Sequence, residues 1–202
     1  RKTKALRPGQ MVTSESTYEV YNDLLDGAIT LFTSFERFST DPLKPALHPI
    51  PLASAVHHGH VLYFGNYTSL DGIPPYDDLW PEAGKIPPEQ EKDWSALCPD
   101  QFAFELARTL SFGVQPMVCN LSTEHLDDPK YGDDVNFLVN MSRFFHQKNP
   151  FLLWGQMLPS GDLDCESAEI QFVVRSVYTR PQNIELFKRR FPSILHSEWR
   201  SP

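Results

Sequence analysis

Glu15 is the residue whose type and position best suit proton transfer. It follows residues 10–14, which we predict to be a short buried strand, and it precedes residues 17–25, whose apolar side chains have helical spacing. A carboxyl group held at such a strand end can donate or accept a proton during a reaction. The alternative role is structural, because a glutamate near the start of a helix also offsets the helix dipole, and Glu19 suits that role better.

Three histidines form the next group of candidates. His57, His58 and His60 lie between residues 50–56 and residues 61–64, the two segments with the strongest strand signal. If the histidines continue a strand, their side chains alternate between its two faces, so that the three do not share one face. One face then offers too few ligands for a metal ion. His57 and His58 are candidates for hydrogen bonding to a substrate hydroxyl, and ordinary surface or core histidines are the alternative.

Further candidates lie in loops and at the end of another predicted strand. Trp80 belongs to residues 72–99, a stretch rich in proline and acidic residues, where its ring can stack on a ligand or pin the loop. Asn120 ends the strand that we predict over residues 114–121, and it is a candidate for holding a substrate hydroxyl. Asp71 begins an Asp-Gly pair that is typical of a turn, and a second reactive carboxylate is the alternative.

Strands and helices alternate along the chain, and their order predicts how these side chains are held. Besides the segments above, the patterns predict helices over 101–112 and 133–149, an apolar segment over 151–155, an edge strand over 170–174 and a short helix over 184–191. Such alternation is typical of α/β proteins with parallel strands. Three clear strands are few for 202 residues, so we expect the chain to be a piece of a larger domain.

The composition disfavours several classes of partner. The formal net charge is −8, whereas general binding to nucleic acid needs clustered Lys and Arg. No apolar run is long enough to span a bilayer, so we expect no membrane partner. Cys98, Cys119 and Cys165 lack the paired spacing of a zinc site. We therefore expect neither a metal nor a cofactor, and we interpret the cysteines as structural thiols.

Several sequence blocks resemble one family in the same order along the chain. The blocks are MVTSE at 11–15, YEVYNDLLDG at 18–27, LYFGNY at 62–67, FELARTLSFG at 104–113, FLLWGQML at 151–158 and PSILHSEWRSP at 192–202. Together they resemble poorly characterised bacterial barrel glycoside hydrolases, in which an α-galactosidase-like (β/α)₈ barrel precedes a C-terminal β-sandwich. The resemblance covers nearly the whole chain. It departs at His57, where the family pattern leads us to expect an aromatic residue.

The resemblance implies an α/β fold, namely a partial (β/α)₈ TIM barrel comprising about the last three strand–helix units. Residues 1–158 would form this C-terminal part of the barrel, and residues 159–202 a linker and the lead-in to a β-sandwich. The partner of the chain would then be the remainder of its own barrel. Open strand edges promote association, so we expect the isolated chain to self-associate and to be inactive.

The resemblance also implies hydrolysis of a glycosidic bond in an oligo- or polysaccharide, a reaction that generally uses two carboxyl groups. Glu15 is the candidate general acid/base, because barrel enzymes carry reactive groups at the carboxyl ends of their strands. The second carboxylate of related barrels lies near a strand that this chain lacks. The candidates for binding the carbohydrate are His57, His58, Trp80 and Asn120. A carbohydrate-binding or structural fragment without activity is the alternative.

Overall fold

The structure is a computed structural model that describes residues 9–15, 21–30, 51–65, 68–71, 92–161, 163–174 and 185–202. Trp80 and residues 17–20 of the predicted helix over 17–25 lie outside these residues. Residues 21–25 of that prediction form a turn and not an α-helix, with the N–H of Leu24 donating to the carbonyl oxygen of Tyr21 at 2.8 Å. The helices are α1 (Leu52–His57), α2 (Trp94–Leu97), α3 (Gln101–Ser111), α4 (Thr123–Asp127), a 3₁₀ helix (Pro129–Tyr131), α5 (Gly132–Gln147) and α6 (Asn149–Leu152). The strands are β1 (Thr13–Ser14), β2 (Gly27–Ile29), β3 (Leu62–Phe64), β4 (Gln156–Leu158), β5 (Ser167–Val174), β6 (Glu185–Pro192) and β7 (Glu198–Arg200).

Within the described residues, β1, β2 and β3 form a parallel sheet in that order. Residues 114–119, here called the Gln115 segment, extend it, because Gln115 forms a parallel bridge with Phe64. The N–H of Gln115 donates to the carbonyl oxygen of Tyr63 at 3.0 Å, and the N–H of Gly65 donates to that of Gln115 at 2.9 Å. Successive parallel segments of the chain are therefore neighbours in the sheet.

β2 is a strand that the sequence pattern did not predict. We expected Asp26 and Gly27 to end a helix, whereas Gly27 begins a strand between β1 and β3. The strand has only three residues, too few to show a period. Its Ala28 is buried with Val61, Tyr63 and Val114 in the core beneath the sheet. Pairing on both sides and burial determine this strand.

The prediction of a strand over residues 50–56 is wrong, because Leu52–His57 is the helix α1. A short apolar run does not distinguish a strand from a buried helix by its periodicity alone. His57 is the last residue of α1, and His58 and His60 lie in the turn that follows. The three histidines therefore do not alternate along a strand.

In the second half of the chain, the structure differs from two further predictions. The prediction of a helix over 184–191 is wrong, because Glu185–Pro192 is β6, which pairs antiparallel with β5. Phe187 and Phe191 are four residues apart, and that spacing places two side chains on one face of either a helix or a strand. The strand predicted over 114–121 is present only as a single bridge residue, Gln115. The segment over 151–155 completes α6 and leads into β4.

The predictions of the helices α3 and α5 and of the strands β3 and β5 are confirmed within a few residues. α3 and α5 pack against each other through Phe102 and Leu106, with Leu70 and Tyr131 in the same buried cluster. The proposed boundary at residue 158 remains a prediction. β4, before this boundary, pairs antiparallel with β7, which lies after it. The two parts of the chain are therefore in contact through these strands.

The hairpin of β5 and β6 packs on α3 through an aromatic cluster and a polar clamp. The cluster consists of Phe104, Phe172 and Phe191 with Ile170. The clamp is the buried Gln101 side chain, whose Oε1 accepts the N–H of Val173 on β5 at 3.0 Å. Gln101 thus satisfies a backbone group of β5 that has been removed from water.

We expect Gln101→Ala to lower the free energy of unfolding by about 1–3 kcal/mol, because the buried N–H of Val173 would lose its acceptor. Urea unfolding followed by circular dichroism measures this loss. The matched control is Gln171→Ala, which removes an exposed hydrogen bond to the carbonyl oxygen of Leu97. Equal losses in the two variants would contradict the proposed role of the clamp.

Gly113 lies where the end of α3 meets β7, and it has φ of +69°. A Cβ at this position would lie 2.7 Å from Cζ2 of Trp199 and 2.8 Å from Nε2 of His58. We expect Gly113→Ala to cost about 1–2 kcal/mol for the left-handed backbone and about 1–3 kcal/mol more for displacing the rings.

The matched control for Gly113→Ala is Gly59→Ala. Gly59 also has a positive φ, +81°, but the nearest atom to an added Cβ is the carbonyl oxygen of Trp154 at 3.6 Å. The control variant therefore carries the backbone cost without the steric cost. Thermal unfolding of both variants measures the difference, and an equal shift in Tm would show that the packing around Gly113 tolerates a methyl group.

Candidate functional site

The carboxyl ends of the parallel strands meet at one edge of the sheet, and this edge gathers most of the polar candidates. Glu15 directly follows β1 and is exposed. Thr30 follows β2, and its hydroxyl donates to the carbonyl oxygen of Gly65, just after β3, at 2.9 Å. In α/β barrels this edge is where catalytic groups lie.

Two segments leave this edge side by side, and a backbone hydrogen bond joins them. The N–H of Cys119, at the end of the Gln115 segment, donates to the carbonyl oxygen of Thr68 at 2.7 Å. Asp71 and Ser122 follow Thr68 and Cys119 at the same interval along the chain. The joined segments therefore bring Asp71 and Ser122 to the same part of the sheet edge.

His125 on α4 connects Asp71 with Ser122. Its Nε2 lies 2.9 Å from Oδ2 of Asp71, and its Nδ1 lies 2.8 Å from Oγ of Ser122. The backbone N–H of Ser122 also donates to Nδ1 at 3.1 Å. A backbone N–H can only donate and a carboxylate can only accept, so these partners place the ring proton on Nε2 and a lone pair on Nδ1.

Tyr131 holds the other oxygen of Asp71. Its hydroxyl donates to Oδ1 at 2.5 Å, and its ring packs edge-on against the His125 ring with 5.1 Å between centroids. Burial raises the pKa of Tyr131, and the hydrogen bond to Asp71 raises it further, against the opposing effect of Lys130. The phenol therefore stays protonated at neutral pH and acts as a donor to Asp71.

Lys130 anchors the outer end of this network. Its Nζ lies 2.8 Å from Oδ1 of Asp93 and 3.3 Å from the Tyr131 hydroxyl oxygen. Hydrogen bonds from Lys130, Ser95 and the N–H of Ala96 lower the pKa of Asp93 to about 2. Burial would lower the pKa of Lys130, but the hydrogen bonds to Asp93 and Tyr131 outweigh it and raise that pKa. The ion pair between Lys130 and Asp93 is exposed, so it contributes little to the stability of the fold. Its effect is to hold the Lys130 side chain near Tyr131.

His58 occupies a different place from the one expected of a substrate-binding residue. Its Nδ1 lies 2.8 Å from the carbonyl oxygen of Gly155, and its Nε2 lies 2.7 Å from that of Leu152. The ring packs against Trp199 on β7 with 4.5 Å between centroids. Both ring nitrogens thus face backbone carbonyls, and these contacts join the end of α1 to the segment between α6 and β4.

The remaining sequence candidates are distributed as follows. Asn120 is exposed in a turn with φ of +55°, at the same sheet edge as Ser122. His57 is half-buried at the end of α1. Trp94, an aromatic residue within the predicted loop over 72–99, begins α2, is only 6% exposed and packs with Cys98 in a small core cluster. The substrate-binding roles predicted for Trp80, which is not described, and for His57, His58 and Asn120 stay predictions.

Ser122, His125 and Tyr131 are not among the candidates that the sequence predicts. Ser122 and His125 have the three-residue spacing of a capping box, with histidine where that pattern has Glu or Gln. Nothing in the sequence connects this pair to Asp71 or to Tyr131, because the connection depends on how the Gln115 segment and α5 pack.

In the part of the chain that the structure describes, no cluster of three or more His, Cys, Asp or Glu side chains is arranged to hold a metal ion. No described helix has the length and apolar character needed to cross a bilayer. Comparison of the chain with protein families, with curated proteins and with solved structures gave no match.

Proposed function

We propose that this chain is the C-terminal part of a (β/α)₈ barrel glycoside hydrolase. The observation that supports the proposal is the order of the parallel segments, since β1, β2, β3 and the Gln115 segment are neighbours in the sequence in which the chain visits them. A (β/α)₈ barrel keeps this order throughout, whereas doubly wound sheets reverse it at a switch point. The helices α1 and α3 lie between successive parallel segments, as crossover helices do.

Glu15 is the proposed general acid/base of this hydrolase. It follows β1 directly, at the carboxyl edge where barrel enzymes bind their substrates. A carboxylic acid at this edge protonates the oxygen of the leaving sugar as the glycosidic bond breaks, while a second carboxylate acts as nucleophile or base. Asp71 is not assigned that second role, because both of its oxygens already accept hydrogen bonds from Tyr131 and His125. We expect the second carboxylate from an earlier strand of the complete barrel.

The direct test uses the full-length protein that contains this chain and a panel of natural and aryl glycosides. Release of reducing sugar, with loss of that activity in the Glu15→Gln variant, would support the proposal. Calorimetric binding of the same sugars without any turnover would instead support a non-catalytic carbohydrate-binding role. If the protein neither turned over nor bound any sugar of the panel, both functions would be contradicted.

A further inference from the structure

We propose that Ser122, His125 and Asp71 form a second catalytic site, in which Ser122 is the nucleophile for hydrolysis of a neutral carboxylic ester. The proposal rests on the hydrogen-bonded chain that these side chains form, and it does not depend on glycoside hydrolysis. Serine–histidine–aspartate sites occur on unrelated folds and are recognised by the geometry and roles of their members.

The hydrogen bonds give each of the three side chains the role that such a site requires. The Ser122 hydroxyl lies 2.8 Å from Nδ1 of His125, the nitrogen that carries the lone pair. This distance is within the range in which a general base takes a proton from a nucleophile. Asp71 accepts from Nε2 at 2.9 Å, so it orients the ring and stabilises the imidazolium that forms when Nδ1 accepts a proton.

Tyr131 and Lys130 hold Asp71 in this position. Tyr131 donates to the carboxylate oxygen that His125 does not use, and the buried tyrosine ring also packs against the His125 ring. Lys130 reaches the Tyr131 hydroxyl and is itself held by Asp93. The catalytic side chains are therefore supported by a second set of polar contacts, as a site that must keep its geometry requires.

The reaction proceeds in two balanced steps. Oγ of Ser122 attacks the ester carbonyl carbon while its proton moves to Nδ1 of His125. The bond from the carbonyl carbon to the alcohol oxygen then breaks, and the alcohol leaves with the proton from Nδ1. In the second step Nδ1 takes a proton from water, the hydroxide adds to the acyl-serine, and the carboxylic acid departs as Oγ regains its proton.

Access and charge indicate the substrate class. The His125 and Asp71 side chains are 16% and 21% exposed, so solvent reaches the site although most of each side chain is covered. Glu124 and Asp127 on α4 and Asp128 at its C-terminal end carry exposed carboxylates. These charges repel an anionic ester and not a neutral one. An uncharged ester is the class that fits these surroundings.

The same side chains also cap α4, so a test must separate capping from catalysis. Ser122 is the N-cap and His125 the third residue of the helix, and each bonds to a backbone N–H of the other. Asparagine is as good an N-cap as serine, and glutamine is a normal partner at the third position. Ser122→Asn and His125→Gln therefore keep the cap but remove the nucleophile and the base.

The experiment measures hydrolysis of 4-nitrophenyl acetate by the full-length protein and its labelling by a fluorophosphonate, with peptide mass spectrometry to locate the label. We expect the label on Ser122, no label at that position in Ser122→Asn, and turnover lowered about 10²–10⁴-fold in His125→Gln. Ser160→Asn, at an exposed serine outside the site, should behave as the unmodified protein. Melting temperatures close to that of the unmodified protein show that both site variants fold.

Three outcomes would overturn the proposal. The first is a folded protein that is neither labelled nor active on the ester. The second is a label on a serine other than Ser122. The third is a His125→Gln variant that is labelled and turns over at the rate of the unmodified protein, because His125 would then be part of the helix cap and not a base.

Discussion

Glu15→Gln is expected to lower the turnover of a natural glycoside by about 10²–10⁴-fold, the range that general acid–base help contributes. Glutamine preserves the size of the side chain and much of its hydrogen bonding, but its amide has no acidic proton to transfer to the leaving oxygen. The fold should change little, because a carboxylate that caps or offsets a helix dipole contributes only about 1 kcal/mol. The measurement is turnover by the full-length protein and its variant, together with a melting curve.

The leaving group distinguishes an acid from a structural carboxylate. An aryl glycoside has a good leaving group that needs little protonation, so the variant should lose much less rate on it than on a natural glycoside. Glu198→Gln, at an exposed glutamate on β7, is the control for removing one negative charge. Equal losses on both substrates, with a clearly lower melting temperature, would show that Glu15 is structural.

Phe172→Ala is expected to lower the free energy of unfolding by about 3–5 kcal/mol, the usual range for removing a buried phenylalanine. Phe172 is 0% exposed. Its ring stacks on Phe187 with 5.4 Å between centroids and contacts Phe104 and Phe191 edge-on at 5.7 and 5.8 Å. Alanine would leave a cavity between α3 and the β5–β6 hairpin, and the surrounding rings lie on different elements that cannot all move in to fill it.

Urea denaturation followed by circular dichroism measures this loss. The control is Leu186→Ala on β6 of the same hairpin, because the Leu186 side chain is 44% exposed and loses little buried area on truncation. We expect a much smaller loss for the control. Similar small losses in both variants would show that the aromatic cluster does not hold the hairpin on α3. Two separate transitions in Phe172→Ala would show that the hairpin unfolds before the rest.

The sequence by itself determined the elements with a long or clear period. α3 and α5 repeat apolar side chains over several turns, and Gly113 and the aspartates at the start of α5 mark an end and a beginning. β3 and β5 are runs of apolar or alternating residues. The sequence also predicted that Glu15 lies at the end of a strand and that Asp71 follows one. These features are local, so they are readable from neighbouring residues alone.

Only the tertiary structure decided β2, α1 and β6. β2 exists because its neighbours pair with it on both sides, and α1 and β6 each carry spacings that fit a helix and a strand equally well. β2 and α1 are too short to show a period, and the apolar spacing of β6 suits both a helix and a strand, so burial and pairing with distant segments choose between the two.

The candidate site depends on the tertiary structure in the same way. The sequence contains Ser122 and His125 at capping-box spacing, but Asp71 is far from them along the chain. They meet because the Cys119–Thr68 hydrogen bond sets the two exit segments side by side and because the 3₁₀ helix before α5 brings Tyr131 against Asp71. A hydrogen-bonded chain needs several side chains aligned at once, and sequence spacing carries no information on the distance between separate segments.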